Sequence, residues 1–290
     1  MTVRKILVQT TIPSTLDDWA IDRFSQMVAL LGAQRDARGA PLFEVQARDR
    51  DSGARPDSVL SQLDTSDVDV LWLLAVDVGN GLHPEECRAI ERFRLRGGGL
   101  MVARDHMDLG SSVCDLNGIG LAHHFHTRNQ EGDASRRVND DVATSYIHWP
   151  NYHSGRNGDY QELQVCGAIH PVLADPGSAS GAIRFFPAHP HEGAVSAPPD
   201  QPARVIACGR SKVSGEQFNL VVAFERHQQH GRAIAQSTFH HFADYNWDAR
   251  TGCPGFVSEA PGDGMSTHPA ALADIHRYVI NVARWLAGDL

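Results

Sequence analysis

Residues 68–103 read VDVLWLLAVDVGNGLHPEECRAIERFRLRGGGLMVA, and this stretch decides the fold that the sequence predicts. Its beginning, residues 68–76, is an apolar run, as expected of a strand that is covered on both faces of a parallel sheet. Pro84 stands where a helix would begin, basic residues occupy the last turn, and Gly97 follows as a cap. Residues 100–103 form a second apolar run. A strand, a helix and a strand with short connections make a right-handed crossover, the building unit of an open parallel sheet.

Shorter segments on both sides continue this alternation of strands and helices. Five further strands are predicted, at residues 5–10, 43–47, 203–208, 218–224 and 231–238. Apolar residues recur at helical spacing in 20–31 and again in 272–286. The sequence therefore predicts one α/β domain over residues 1–290, built on an open, mostly parallel, flavodoxin-like sheet with helices on both faces.

One polar stretch interrupts this order. Residues 128–162 are rich in Asn, Asp, Gly and Arg, but they also carry isolated aromatic side chains, which linkers rarely contain. We expect a long excursion from the sheet that belongs to the same domain. Within it, residues 148–153 (His-Trp-Pro-Asn-Tyr-His) mix aromatic and polar groups as sugar-binding loops do, so His153 is a candidate substrate contact.

The composition excludes several classes of protein. Acidic residues outnumber basic ones by 35 to 26, for a formal net charge of −9, whereas a protein that neutralises nucleic-acid phosphates shows the opposite balance. No apolar stretch approaches the roughly 20 residues that cross a bilayer. Five scattered cysteines without a C-x-x-C pair, and an N-terminus without an apolar signal region, are typical of reduced thiols in the cytosol. We expect a cytoplasmic protein that binds neither nucleic acid nor membrane, with a homodimer as the commonest assembly.

Two polar strings follow predicted strands at the point where each apolar run stops. Residues 104–112 follow one strand and residues 239–247 follow another. Ligands of an open parallel sheet bind beyond the carboxyl ends of its strands, so both strings are expected at one crevice. We predict that Asp105 and His240 form an acid/base pair there. Four neighbours are predicted to orient a small-molecule substrate or to tune pKa values: His106, His241, Asp244 and Asn246.

A second histidine motif stands apart from both strings. In His189-Pro190-His191-Glu192 the proline favours extended backbone at the preceding residue. Extended residues two apart point the same way, so His189 and His191 are candidate ligands of one metal ion, together with Glu192 or a residue of the His240 string.

The order of these elements resembles the class I glutamine amidotransferase-like superfamily, and especially its trehalose-utilisation (ThuA-like) branch. The resemblance covers most of the chain outside the excursion. It is carried by residues 67–72, 84–96, 96–100, 231–242 and 283–286. It implies the shape of the sheet and a site beyond the carboxyl ends of its strands.

The departure from that superfamily concerns its nucleophile. A glutamine amidotransferase of this kind carries a cysteine in a strand-to-helix turn, with an activating histidine after a later strand and a nearby glutamate. The matching turn here is Arg104-Asp105-His106. Cys114 lies nine residues beyond Asp105, roughly 13 Å along a helix. His240 matches the activating histidine, but the carboxylate that follows it is Asp244. Glutamine hydrolysis through a thioester is therefore not expected.

Three functions stay open at this point. The first is an enzyme that acts on a small polar metabolite, such as a carbohydrate derivative, by acid–base chemistry of Asp105 and His240. The second is a metal-dependent hydrolase or isomerase, in which zinc or manganese is held by some of His189, His191, His240 and Asp105. The third is a ligand-binding protein that kept the fold without the chemistry. Mutation of Asp105 or His240 and metal analysis discriminate among them.

Overall fold

The computed structural model describes residues 2–53, 56–140, 144, 146–228 and 230–290. Its strands are β1 Arg4–Pro13, β2 Phe43–Arg50, β3 Val70–Leu74, β4 Gly99–Ala103, β5 His123–His124, β6 Tyr160–Glu162, β7 Gln164–Val165, β8 Phe185–Pro187, β9 Ala194–Val195, β10 Ala203–Arg210, β11 Gln217–Phe224 and β12 Ala233–Gln236. Its α-helices are α1 Ser25–Gly32, α2 Pro84–Leu95, α3 Asp244–Trp247, α4 Gly264–Thr267 and α5 Pro269–Leu286.

Eight strands form one sheet in the order β2-β1-β3-β4-β12-β11-β10-β7. The first five strands in this order run parallel, and β11, β10 and β7 continue the sheet by antiparallel pairing. Two short two-stranded sheets, β5-β9 and β6-β8, lie outside it. This topology confirms the predicted open, mostly parallel α/β sheet.

The side chains of β3 divide between two hydrophobic cores. Val70, Trp72 and Leu74 belong to the core that also contains apolar residues of α1 and α5. Leu71 and Leu73 belong to the core on the opposite face, with residues of α2. Alternate residues of a strand point to opposite faces, so a sheet covered on both sides needs apolar residues at every position. The helices on both faces confirm the prediction.

Helix α2 begins and ends where the sequence indicates. Pro84 is its first residue, and the side chain of His83 accepts a hydrogen bond from the backbone of Glu85. The carboxylate of Glu86 accepts one in return from the backbone of His83, which completes a capping box. Gly97 follows the helix with φ +97, a left-handed conformation that glycine adopts without strain.

The strand predicted at residues 231–238 is shorter in the structure. It spans Ala233–Gln236, and two residues later Thr238 is the N-cap of the turn Phe239–Phe242. The predicted excursion consists of turns and short strands up to β6, and its residues 141–143 and 145 lie outside the described part of the chain. Among the described residues, no helix combines the length and the apolar character that crossing a bilayer requires.

Candidate metal centre

Two neighbouring parallel strands bring the polar strings together. Ala103, the last residue of β4, pairs with Gln236, the last residue of β12. The residues that follow therefore leave the sheet at the same edge. The hydroxyl of Thr238 donates a 2.8 Å hydrogen bond to Oδ1 of Asp105 and accepts one of 3.1 Å from the backbone of His240. One side chain thus joins the two strings.

Three buried side chains converge at this point. Oδ1 of Asp105 lies 3.4 Å from Nε2 of His189, and Oδ2 lies 3.6 Å from Nε2 of His240. One ligand atom of each residue lies within 4.8 Å of the others. We call Asp105, His189 and His240 the Asp105 cluster. All three are at most 3% exposed.

Two asparagines determine which ring nitrogen of each imidazole donates a hydrogen bond. Asn246 donates its Nδ2 hydrogens to the carbonyl of Ala188 at 3.0 Å and to Oδ1 of Asn157 at 2.9 Å. Its own Oδ1 therefore faces Nδ1 of His240 at 3.1 Å. Oδ1 of Asn157 likewise faces Nδ1 of His189 at 2.9 Å. Both Nδ1 atoms must donate, so each ring in its neutral form presents a bare Nε2 lone pair to Asp105.

Burial keeps His189 neutral, and Asp105 depends on its neighbours for a compensating positive charge. Burial by itself raises the pKa of Asp105, and positive charge on the surrounding imidazoles, when they carry it, outweighs burial and holds that pKa well below its usual value. Burial, reinforced by the neighbouring His240, holds the pKa of His189 well below its usual value. Burial also lowers the pKa of His106 to about 4.

Aromatic packing fixes the ring of His240. The rings of His189 and His240 stack with centroids 3.6 Å apart and an interplanar angle of 12°. Trp19 meets His240 edge-on with centroids 4.5 Å apart, and Phe239 stacks on it at 4.6 Å. These three ring contacts hold the imidazole of His240 in place beside Asp105.

The remaining histidines near the cluster play different parts. His106 places Nε2 3.5 Å from Oδ2 of Asp105, and its Nδ1 is buried without a hydrogen-bond partner among the described residues. His191 lies beside His106 with ring centroids 5.3 Å apart. Its Nδ1 faces Asn151 and its Nε2 faces Glu259 at 3.1 Å. Of the predicted pair of metal ligands, His189 therefore joins the cluster, and both nitrogens of His191 are engaged elsewhere.

Two residues predicted to contact substrate lie in the protein interior. Nδ1 of His241 lies 2.6 Å from the amide of Gln236, and its Nε2 lies 3.2 Å from Glu192. Asp244 accepts hydrogen bonds from the hydroxyl of Ser25 at 2.6 Å and from the backbone at the start of α1. Neither residue lines the cavity beside the cluster. His241 stabilises the turn after β12, and Asp244 ties that turn to α1.

Three further predicted residues have distinct places. Asn246 does not line the cavity beside the cluster but positions His240 through the hydrogen bond described above. The backbone carbonyl of His153 accepts a hydrogen bond from Lys212 at 2.8 Å, and His153 does not line the cavity either. Glu192, the third candidate ligand of the His-Pro-His motif, is fully buried against Ser154, Ser237 and His241.

A cavity of about 320 Å³ opens onto the Asp105 cluster. His106, Asn157 and Glu259 contribute polar groups to its wall. Val78, Tyr146 and Phe256 also line it, although they are 74%, 72% and 58% exposed. The cavity therefore has an apolar mouth and an interior in which the polar cluster lies beside buried apolar residues such as Trp19 and Phe239. Its volume lies at the lower end of the range for small-ligand sites.

Cys114 does not provide the thiol of a glutaminase. It lies in the turn Ser111–Asp115 and does not line the cavity. Burial raises the pKa of its thiol, so the nucleophilic thiolate is disfavoured at neutral pH.

Comparison with known proteins bears on the fold. No family model matches the sequence, and no curated protein matches it. A solved ThuA-like protein from Parabacteroides merdae ATCC 43184 superposes with a TM-score of 0.51 at 14% identity, over 99% of this chain and 90% of that chain. The chain shares its fold with a ThuA-like protein. This confirms the predicted ThuA-like fold.

Two other solved structures align along nearly the whole chain. The N-terminal domain of mmIFT52 has a TM-score of 0.51 at 13% identity, over 97% of this chain and 96% of that one. The glutaminase domain of Trypanosoma brucei CTPS, with bound acivicin, has a TM-score of 0.48 at 13% identity, over 100% and 95%. Identities this low show a common fold alone, so the chemistry has to be derived from the residues of this chain.

Four residues of the site were absent from the sequence-based prediction. Thr238 immediately precedes the His240 string, and its position before a Phe-His-His turn is the signal of an N-cap. Trp19, Asn157 and Glu259 reach the site from distant parts of the chain. No local pattern distinguishes them from other polar or aromatic loop residues.

Proposed function

We propose that this protein is a metal-dependent hydrolase in which Asp105, His189 and His240 hold one divalent cation. The observation that carries the proposal is the convergence of the Nε2 atoms of two histidines on one carboxylate, with all three side chains buried. Nε2 of His189 has no hydrogen-bond partner among the described residues. Buried polar atoms are almost always paired, and an orphaned one points to a missing ion or ligand.

A cation resolves the electrostatics of the cluster better than a proton does. Three lone pairs that face one another without an intervening hydrogen repel, and the low local dielectric strengthens that repulsion. Two imidazoles and a carboxylate are the protein ligands of many catalytic zinc sites, which keep a further position for water or substrate. Nitrogen ligands favour zinc over harder ions, and manganese is the next candidate.

The neighbouring residues supply the orientation that such a site requires. Asn157 and Asn246 hold the two rings through their Nδ1 atoms, as the outer hydrogen bonds of metal-binding histidines do. Thr238 holds the carboxylate of Asp105. A divalent cation supplies polarisation of a substrate oxygen and a water acidic enough to ionise near neutral pH. His106 borders both the cluster and the cavity, where it can hydrogen-bond to substrate.

The cavity indicates the class of substrate. The buried polar groups of the cluster suit a small molecule whose oxygen atoms approach them. Tyr146 and Phe256 at the mouth suit an apolar or sugar-like face on the same molecule, since aromatic rings pack against both. A compact carbohydrate derivative with a hydrolysable bond meets both requirements.

Metal analysis of untagged protein tests the proposal. We expect about one equivalent of a divalent cation after zinc loading and desalting, and substoichiometric metal in His189→Ala and Asp105→Ala. His276→Ala, which removes a half-buried histidine of α5 far from the cluster in sequence, should retain the metal. Chromogenic esters and glycosides then test for metal-dependent turnover. The absence of saturable zinc or manganese binding by the wild-type protein would contradict the proposal.

A second candidate is acid–base catalysis by Asp105 and His240 without a metal. It is favoured by the 3.6 Å distance between Oδ2 and Nε2, which suits the exchange of a proton through a bound substrate. Turnover that survives chelation but is lost in Asp105→Asn would establish this mechanism. Ligand binding without any turnover would establish a binding protein.

A further inference from the structure

A second and larger pocket lies at the other end of the strands, away from the Asp105 cluster. It has a volume of about 520 Å³. It is lined by Leu100 at the start of β4 and by Phe224 at the end of the antiparallel strand β11. The Asp105 cluster follows the carboxyl end of β4, so the two cavities lie at opposite ends of the parallel strands. The acid/base and metal chemistry described above does not use this pocket.

Arg94 is the buried cation of this pocket. It lies on α2, lines the pocket and is 7% exposed. Its Nη2 donates to the carbonyl of Gly231 at 3.1 Å, whereas its Nε is buried without a partner among the described residues. Among the described residues, no carboxylate forms an ion pair with Arg94. Burial therefore lowers the pKa of Arg94 to about 10.

A buried guanidinium without an ion pair is costly to the folded state, and the Phe224 ring, whose centroid lies 5.9 Å from Cζ of Arg94, offsets only part of that cost. Buried charges are paired in most proteins, and removing the partner of a buried charge is strongly destabilising. The nearest carboxylate on the same helix, Glu91, accepts a 2.7 Å hydrogen bond from Asn117 instead. A guanidinium in a cavity presents a planar fork that matches one carboxylate group. These observations indicate that the counter-ion of Arg94 comes from a ligand.

The other lining residues narrow the ligand class. The walls beside Arg94 are apolar, formed by Ile90, Leu100, Leu116, Ile119 and Phe224. Carboxylates also line the pocket, at Glu91, Asp200 and Glu225. These acids disfavour a doubly charged phosphate and attract an ammonium group. Glu91 precedes Arg94 by one helical turn, so one molecule can reach both side chains.

We infer that this pocket binds a small apolar α-amino acid, whose carboxylate pairs with Arg94, whose ammonium group faces Glu91, and whose side chain packs on Phe224. The inference is independent of the metal site. It assigns to the protein a second ligand site, at the amino ends of the parallel strands.

Calorimetric titration of the full chain tests this inference. L-phenylalanine and L-leucine are the probes, with 3-phenylpropanoate lacking the amine, 2-phenylethylamine lacking the carboxylate, and inorganic phosphate. We expect saturable binding of at least one amino acid, weaker binding of 3-phenylpropanoate, and none of 2-phenylethylamine or phosphate. Arg94→Met should weaken amino-acid binding about tenfold or more, the usual effect of losing a charge-assisted pair.

Two variants keep the test decisive if Arg94→Met folds poorly. Arg94→Lys keeps the charge without the planar fork, and we expect severalfold weaker binding. Arg88→Met removes an exposed arginine of the same helix and should bind as the wild type does. The inference is overturned if neither amino acid binds at millimolar concentration, if phosphate binds more tightly than both, or if Arg94→Met and Arg94→Lys bind with wild-type affinity.

Discussion

Asn157 and Asn246 decide which nitrogen atoms of two histidines face Asp105. Each asparagine oxygen accepts from an Nδ1 atom, and the backbone carbonyl of Ala188 fixes the direction of the whole chain of hydrogen bonds because a carbonyl can only accept. The carbonyl of Ala188, which is not part of the cluster, thus decides that Nδ1 of each histidine carries a hydrogen.

Replacement of Asn246 by leucine should weaken metal binding. Asn246→Leu keeps the volume but removes the acceptor for Nδ1 of His240, so the ring loses its fixed orientation. We expect the affinity for zinc to fall about 10–100-fold, the usual effect of losing an outer hydrogen bond. Competition with a chromophoric chelator measures it.

Two comparisons separate this effect from general destabilisation. Asn157→Leu should weaken zinc binding in the same way through His189. Asn281→Leu removes hydrogen bonds to Val172 and Ala174 that lie away from the site, and its zinc affinity should be that of the wild type. Equal affinities in all three variants would show that the asparagines do not orient the ligands.

Asp57 is a buried carboxylate that contributes to stability. It accepts hydrogen bonds from Arg48 at 2.9 Å and from the backbone of Asp51 and Leu60. Burial by itself raises the pKa of Asp57, but these hydrogen bonds outweigh it and lower the pKa to about 2. A carboxyl group whose pKa is lower in the folded state stabilises the protein above its unfolded pKa, and this contribution is lost as the pH falls towards the folded value.

The Asp57→Asn variant should therefore lose stability in a pH-dependent way. We expect a loss of about 2 kcal/mol in the free energy of unfolding at pH 7, from a pKa difference of nearly two units. The difference between variant and wild type should be constant from pH 7 to 5 and shrink below pH 4. Urea unfolding at pH 7, 5 and 3 measures it, and a difference that persists undiminished at pH 3 contradicts the ionised role of Asp57.

Gly231, just before strand β12, approaches the loop before β4 too closely for a side chain. A Cβ atom added at Gly231 would lie 2.0 Å from the carbonyl oxygen of Gly98. Backbone atoms on both sides cannot move without disturbing the pairing of β4 with β12. The close approach therefore supports the strand pair that carries Asp105 and His240.

Substitution of Gly231 by alanine should destabilise the protein. We expect a loss of about 2–3 kcal/mol in the free energy of unfolding, typical of overpacking against rigid groups. Gly32→Ala is the matched control, because nothing lies within 4 Å of an added Cβ there. Urea unfolding of both variants tests the prediction, which fails if Gly231→Ala is as stable as the control.

The whole molecule is organised around one sheet with a core on each face. Both cores contain residues of β3 and β4, so neither face can unfold and leave the other intact. The Asp105 cluster joins the carboxyl edge of this sheet to the loop that carries His189. The single domain over residues 1–290 and the homodimer stay predictions at this scale.

Unfolding should be one cooperative transition that metal shifts as a unit. A ligand present at 100 times its dissociation constant stabilises the folded state by about 2.7 kcal/mol, which for a chain of this size raises Tm by roughly 4–5 °C. Differential scanning calorimetry with zinc should show this shift in the wild type and none in Asp105→Ala. Two separate transitions, with only one moved by zinc, would contradict the single domain.

The fold could be predicted because its signals are local along the chain. The run at residues 70–74 is apolar on both faces, and α2 carries its own start and stop residues at Pro84 and Gly97. The sequence also predicted that Asp105 and His240 lie close together, because each follows the carboxyl end of a parallel strand and these two strands are neighbours in the sheet. The length of β12 was overestimated, because a Thr238 hydroxyl that caps a turn reads the same in sequence as one inside a strand.

The sequence by itself determined the parallel sheet, its two covered faces and the strand ends at which the polar strings meet. The spacing of apolar residues and the residues that begin or end an element are patterns among near neighbours in the chain, so they can be recognised without the structure. Only the tertiary structure decided that His189 joins Asp105 and that His191 and His241 turn to other partners. It also decided which ring nitrogen of His189 and of His240 donates a hydrogen bond, through two asparagines 89 residues apart. A hydrogen bond selects one nitrogen of an imidazole by direction and distance, and neither is encoded in the spacing of residues along the chain.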